Sequence, residues 1–418
     1  MVDPVIIALI LAGAIIIIGF LGNYVFERTG IPDMIILIVL GIVIGPISGL
    51  VNVDSIINLA PYLSALALVY ILFDGGLAMN IYRVFSESPR AAILAVLGYG
   101  LSVTLSTMLM HYFVIPQVPI IYAMLFGTIL GGSSSIVVVS LASKIKVSER
   151  CSTVLSLESA ITDILCIVFS IVVIEIILTG TVDLTTIGQL VASRFSTGIV
   201  LGLIFGIVWL SIFKRIAKSS YVYILTLAVV LLAYAVSEVL GGSGALCSLL
   251  FGIVLGNERE IYQMFRMEKP LTLMVDEGLR RFESEIAFLL RTFFFVYIGL
   301  IFTVTELNVV VIGVILSLIL LLARLISVRI ATIRSKELAE ERSVMGVLMT
   351  RGLAAAVLAT LPMQYAGRDV IFAELHPLYT NVAVIVILAT AVIATVGIPI
   401  FKRGKDKHPV NSIVKVHE

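Results

Sequence analysis

A chain of 418 residues that is 60% hydrophobic and only 13% charged, with a mean hydropathy of +1.15, falls outside the soluble class, in which about 25% of residues are charged. The composition is that of a protein crossing a membrane many times. The net charge is +1 and no basic block is interleaved with aromatics, which argues against nucleic acid as a partner. Cys151, Cys166 and Cys247 lie close to or inside apolar segments, a pattern that offers neither a disulfide framework nor a metal cluster.

The N-terminus, Met1-Val2-Asp3-Pro4, runs directly into an apolar stretch without a basic leader, so it reads as a retained first helix. A membrane helix needs about 20 mainly apolar residues. Thirteen runs qualify, near 4–22, 32–46, 56–78, 90–114, 118–143, 151–178, 187–213, 221–240, 243–256, 277–303, 308–330, 343–363 and 380–401. The second and ninth are short, and the tenth begins in a charged, amphipathic stretch.

Charge placement orients these runs. Alternate connections, starting with the first, hold most of the 28 Lys and Arg residues, among them Arg28, Arg83, Lys144, Lys146, Arg150, Lys214, Lys218, Arg266, Lys269, Arg281, Arg334 and Lys405. The opposite connections hold Arg368 and little else. The positive-inside rule puts the basic side in the cytoplasm, with the N-terminus outside and the C-terminus inside. The expected location is the cell membrane. Nothing appended is large enough to fold alone: residues 402–418 form a short basic tail, and neither a phosphate loop nor HExxH occurs. The reading is of a single transmembrane unit, 1–401, with no motif of an enzyme or of a bound cofactor.

Ionisable groups within a membrane cost roughly 2.5–3.5 kcal/mol at a helix centre and need a reason to be there. The clear cases are Asp74, Glu158, Asp163, Arg291, Arg324 and Arg351, while Glu175, Arg194 and Glu238 lie near helix ends, where side chains can snorkel. The sixth run reads Leu157-Glu158-Ser159-Ala160-Ile161-Thr162-Asp163. Asp163 falls ~20 Å along it from the cytoplasmic end, close to mid-membrane. Ser159 shares a helical face with Asp163, and Glu158 with Thr162. Such an oxygen-only set suits a hard alkali cation. Burial disfavours the charged form of a carboxylate, so one group can serve a proton and a cation in turn. The plainer reading of Asp163, a hydrogen bond to a neighbouring helix, stays open on position alone.

The fifth run contains Gly131-Gly132-Ser133-Ser134-Ser135, and the twelfth contains Thr350-Arg351-Gly352. The glycines and serines of the first weaken a helix, the second also falls within an apolar run, and interrupted helices at corresponding positions of two inverted repeats mark ion sites in transporters. Close packing through small residues is the alternative. Charge balance suggests that Arg351 pairs with Glu158 and that Arg291 pairs with Asp74.

Taken together, Gly30-Ile31-Pro32-Asp33, Gly45-Pro46, Leu72-Phe73-Asp74-Gly75-Gly76-Leu77, the serine-rich break, Leu157-Glu158-Ser159 through Asp163, Arg291 before Phe294-Phe295-Val296, and Arg351-Gly352 resemble a monovalent cation:proton antiporter of the NhaP type, with Kef-like features. The resemblance implies an all-α polytopic homodimer in membrane lipid, with two interrupted crossing helices. It implies a core bundle at about 90–178 and 308–401, dimerisation helices at about 4–78 and 221–303, and a linking helix at about 187–213. It implies that Asp163 binds the transported Na+ (or Li+) or H+. Glu158, Ser159, Thr162, Ser133 and Ser134 would shape that site, with Arg351, Arg291 and Asp74 as supporting charges. Thr162-Asp163 stands where NhaP-type proteins usually carry Asn-Asp, and Ser133-Ser134-Ser135 stands in place of Thr-Asp-Pro. The serine-rich form is closer to the Kef-like branch, which leaves K+ open as the cation. A single acidic group at the double position resembles electroneutral exchangers. Two rival classes are weaker: an intramembrane aspartyl protease needs other sequence around its aspartates, and a cation channel needs a filter that is not evident.

Overall fold

The computed structural model describes residues 4–50, 60–78, 81–145, 147–180, 184–216, 221–264, 277–303 and 307–406. The basic residues Lys146, Lys218, Arg266 and Lys269, and the tail from 407 on, lie outside the described residues.

The described chain is all helical. In order the helices are α1 (Pro4–Thr29), α2 (Asp33–Ile42), α3 (Ala60–Ala78), α4 (Ile81–Leu109), α5 (Ile120–Leu130), α6 (Ser135–Ile145), α7 (Glu149–Thr179), α8 (Leu184–Ile216) and α9 (Val222–Val239). They continue with α10 (Gly244–Gly256), α11 (Glu258–Met264), α12 (Glu277–Ile301), α13 (Leu307–Ala331), α14 (Lys336–Glu340), α15 (Arg342–Val347), α16 (Leu353–Gln364) and α17 (Val370–Asp406). Single π-turns prolong α2 through Ile47 and α4 through Val114. Eight helices are long and apolar enough to cross a membrane, and shorter apolar helices include α5, α10 and α16. The protein is a multi-pass membrane protein. In hydrocarbon every backbone polar group needs an internal partner, so helices are the solution open to such a chain.

Local chemistry sets the ends. Ser148 caps α7, its hydroxyl accepting from Cys151 N, and Gly180 closes the helix in the left-handed region at φ 65°. Ser243 caps α10 in the same way by accepting from Leu246 N. Hydroxyls inside the spans bond back to carbonyls four residues earlier, as Ser317 does to Gly313 and Thr226 to Val222. Two helices begin earlier than hydropathy suggests. α4 runs through Pro89 and α17 runs through Pro377, because packing carries a helix past a residue that would end it in isolation.

One group of helices packs around α4, α5, α6 and α7 together with α13, α15, α16 and α17. A second joins α1, α2 and α12 to α3, α8, α9 and α10. The groups meet chiefly where α3 packs against α16, with further contacts of α7 on α8 and of α12 on α16 and α17. Leu9, Ile10, Ile17 and Phe20 on α1, and Leu318 and Leu322 on α13, face outward, the arrangement expected when lipid rather than water is the neighbour.

Candidate functional site

The fifth and twelfth apolar runs are both interrupted. α5 stops at Leu130 and α6 starts at Ser135; α15 stops at Val347 and α16 starts at Leu353. The breaks meet: the Ser134 backbone N–H donates to the Thr350 carbonyl at 2.7 Å. This bond satisfies two groups that a broken helix would otherwise strand in hydrocarbon. Gly132 allows the approach of α7, since a Cβ there would lie 2.7 Å from the Cys166 sulfur and 2.9 Å from the Thr162 carbonyl oxygen.

α7 presents its polar face to the first break. Ser133 Oγ donates to Glu158 Oε1 at 2.9 Å and lies 3.2 Å from Ser159 Oγ. Ser133 N donates to Thr162 Oγ1 at 3.2 Å. Thr162 in turn donates to the Ser159 carbonyl at 3.0 Å. Glu158, Ser159, Thr162, Ser133 and Ser134 are buried, while Asp163, one residue on, is partly exposed. The structure therefore gathers Ser133, Glu158, Ser159 and Thr162 into one hydrogen-bonded cluster, with Asp163 next to it in the chain and Ser134 at the crossing. Carboxylate, hydroxyl and backbone oxygens are the donors a desolvated alkali cation accepts. Among the described residues no group of His, Cys, Asp and Glu suited to a bound metal cofactor occurs.

Arg351 occupies the second break. Its Nε donates to the Leu130 carbonyl at 2.7 Å and its Nη1 to the Met349 carbonyl at 3.0 Å, while its backbone N–H donates to Thr390 Oγ1 at 3.1 Å. A cation from one interrupted helix thus caps the negative end of the other. Its charge also acts on Glu158 and Asp163.

Two pairings inferred from charge balance are corrected. Glu158 forms its ion pair with Arg324, Oε1 to Nη1 at 2.9 Å, and Arg324 Nε donates to the Met345 carbonyl at 3.1 Å. The Arg351 guanidinium is engaged by carbonyls, and α13 brings Arg324 to the carboxylate instead. Arg291 pairs with Asp33, Nη2 to Oδ2 at 3.1 Å, because α12 lies along α2. Asp74 senses Arg291 through space as its strongest charged neighbour. Arg324 stood out in the sequence as a charge within an apolar run, but with several carboxylates available its partner was undetermined. Glu175, Arg194 and Glu238 do not snorkel separately. Arg194 bonds Glu175 and approaches Glu238 at 3.9 Å.

Residues 4–403 match the family model described as "Sodium/hydrogen exchanger, transmembrane". The chain belongs to that family. A curated relative, the K(+)/H(+) antiporter NhaP2 of Shewanella baltica (strain OS223), is 26% identical over 88% of this chain and 61% of its own length. NhaP2 of Shewanella sp. (strain ANA-3) is 29% identical over 56% of this chain and 41% of its own. This member of the exchanger family thus spans about two fifths to three fifths of the length of those relatives. Its fold is shared with the sodium proton antiporter MjNhaP1 of Methanocaldococcus jannaschii, at a TM-score of 0.76 and 21% identity, covering 96% of this chain and 97% of that one.

Proposed function

We propose that this exchanger-family member is a secondary active antiporter that trades Na+ (or Li+) for H+ by alternating access, one for one, with Asp163 as the carboxylate for which both ions compete. The observation that carries the reading is the crossing of two interrupted helices at Ser134 and Thr350 beside the Glu158–Ser159–Thr162–Ser133 cluster. Deprotonated Asp163 takes the dehydrated cation together with hydroxyl and backbone oxygens of Ser159, Thr162 and the break at 133–134. The α4–α7 and α13–α17 group then moves against the remaining helices and returns with Asp163 protonated. Glu158, neutralised by Arg324, holds Ser133 in place and stays out of the exchange.

The remaining assignments belong to the same reading: a homodimer in the cell membrane, formed through the second helix group, with its basic side in the cytoplasm. K+ is the second candidate cation. It is favoured by the serine-rich break and by the names of the NhaP2 relatives, whereas the name of MjNhaP1 favours Na+.

The test is proton movement in proteoliposomes carrying a pH gradient, with sodium, lithium and potassium added separately to the unsubstituted protein and to Asp163→Ala. One cation dissipating the gradient with the unsubstituted protein alone supports exchange and names the ion. Transport retained by Asp163→Ala ends the assignment of that carboxylate, and passive current independent of the pH gradient would make the protein a channel.

A further inference from the structure

A second intramembrane carboxylate has no role in the site above. Glu283, on α12, is fully buried at 0% exposure. Its Oε2 accepts from the Tyr70 hydroxyl of α3. Its Oε1 has no hydrogen-bond partner. The charged neighbour acting on it is another carboxylate, Asp74, one turn along α3 from Tyr70.

Among the described residues the nearby arginines face other acids. On α12 itself Arg281 pairs with Glu285 at 3.2 Å, and Arg291 pairs with Asp33 of α2 at 3.1 Å. Arg291 and Arg280 act on Asp74. From α16, which also packs against α12, no ionisable side chain arises, because Leu353–Gln364 contains none. Among the described residues the arginines at this contact thus pair with other acids or act on Asp74, and no ion pair to Glu283 is formed. A buried carboxylate with one oxygen unsatisfied and a like charge beside it is not maintained in ionised form; it takes up a proton or a cation. Two carboxyls whose surroundings differ in this way divide the roles, one charged and one neutral.

We propose that Glu283, with Tyr70 and Asp74, forms a second proton-binding site at the α3–α12 contact, distinct from the Asp163 site. Loss of that proton sets a second negative charge against Asp74. α3 is also the helix that packs against α16, so the charge appears beside a helix on which the other group rests. The site thereby makes movement between the two groups respond to alkaline pH. This consequence rests on the antiport reading; the protonation itself does not.

Infrared difference spectroscopy of the membrane-reconstituted full chain during pH titration tests the protonation. A carboxylic-acid C=O band that disappears on alkalinisation is expected in Asp163→Ala, which lacks the exchanging carboxyl. It is absent when Glu283→Gln is added to Asp163→Ala, and when Tyr70→Phe is added instead it persists at a changed frequency because the phenol no longer donates. No such band in Asp163→Ala, its persistence once Glu283→Gln is added, or an unchanged frequency once Tyr70→Phe is added overturns the site. In proteoliposomes Glu283→Gln should still exchange ions, with a smaller fall in rate on alkalinisation than the unsubstituted protein, and a pH profile superimposable on that of the unsubstituted protein overturns the regulatory role.

Discussion

The backbone N–H of Ser134 and the carbonyl of Thr350, 216 positions apart in the chain, are joined at 2.7 Å where the two interrupted helices cross. This bond joins the α5–α6 break to the α15–α16 break, beside the face of α7 that holds Ser133 through Glu158 and Thr162.

The crossing leaves no room for a side chain at Gly352. A Cβ there would overlap the Ser134 hydroxyl and lie 2.5 Å from the Ser134 Cβ. Gly352→Val should lose about 1–3 kcal/mol through forced separation of the breaks. Exchange should fall further than stability does. Thermal unfolding in detergent alongside proteoliposome transport checks both, and an unaltered melting temperature with normal transport would refute the contact.

Glu158 and Arg324 should behave as a unit. Arg324→Met alone strands a buried carboxylate and should cost about 3–5 kcal/mol, whereas Glu158→Gln combined with Arg324→Met should recover much of that loss. A double-mutant cycle on unfolding free energy measures the coupling. Additive single effects would mean that the pair at 2.9 Å does not contribute as a pair.

Arg351 should tolerate no substitution by lysine. Its Nε and Nη1 reach two different carbonyls, those of Leu130 and Met349, a fork that a single ammonium cannot reproduce. Arg351→Lys should lose one charge-assisted hydrogen bond, about 1.5–3 kcal/mol, and with it the fixed end of α5. Cation affinity, measured by isothermal titration, should weaken in parallel, and an unchanged affinity would remove Arg351 from the site.

Arg194 ties α8 to Glu175 of α7 and reaches towards Glu238 of α9. Because α7 belongs to the group bearing Asp163, Arg194→Met should loosen one group against the other. The expected loss is about 1 kcal/mol, with faster amide hydrogen exchange at the C-terminal end of α7. No change in exchange there would show that the tie is dispensable.

Much of this protein was written in local sequence. Hydropathy and the scarcity of charge dictate a bundle of membrane helices, because backbone in hydrocarbon must bond to itself. The position of the first interruption follows from Gly131-Gly132-Ser133, residues that weaken a helix, and the second was marked by a charge and a glycine, Arg351-Gly352, within an apolar run. Helical period alone puts Glu158 and Thr162 on one face and Ser159 and Asp163 on another adjoining it. Tertiary structure decided the partners. Charge balance in a chain with several buried acids and arginines is degenerate, and it suggested Glu158 with Arg351 and Asp74 with Arg291. The packing of α13 and of α2 against α12 selected Arg324 and Asp33 instead. The same holds for Tyr70 with Glu283 and for the starts of α4 and α17, which lie before the apolar runs that hydropathy marks. Periodicity and propensity act over a few turns, whereas a pairing between helices depends on which faces the whole bundle brings together.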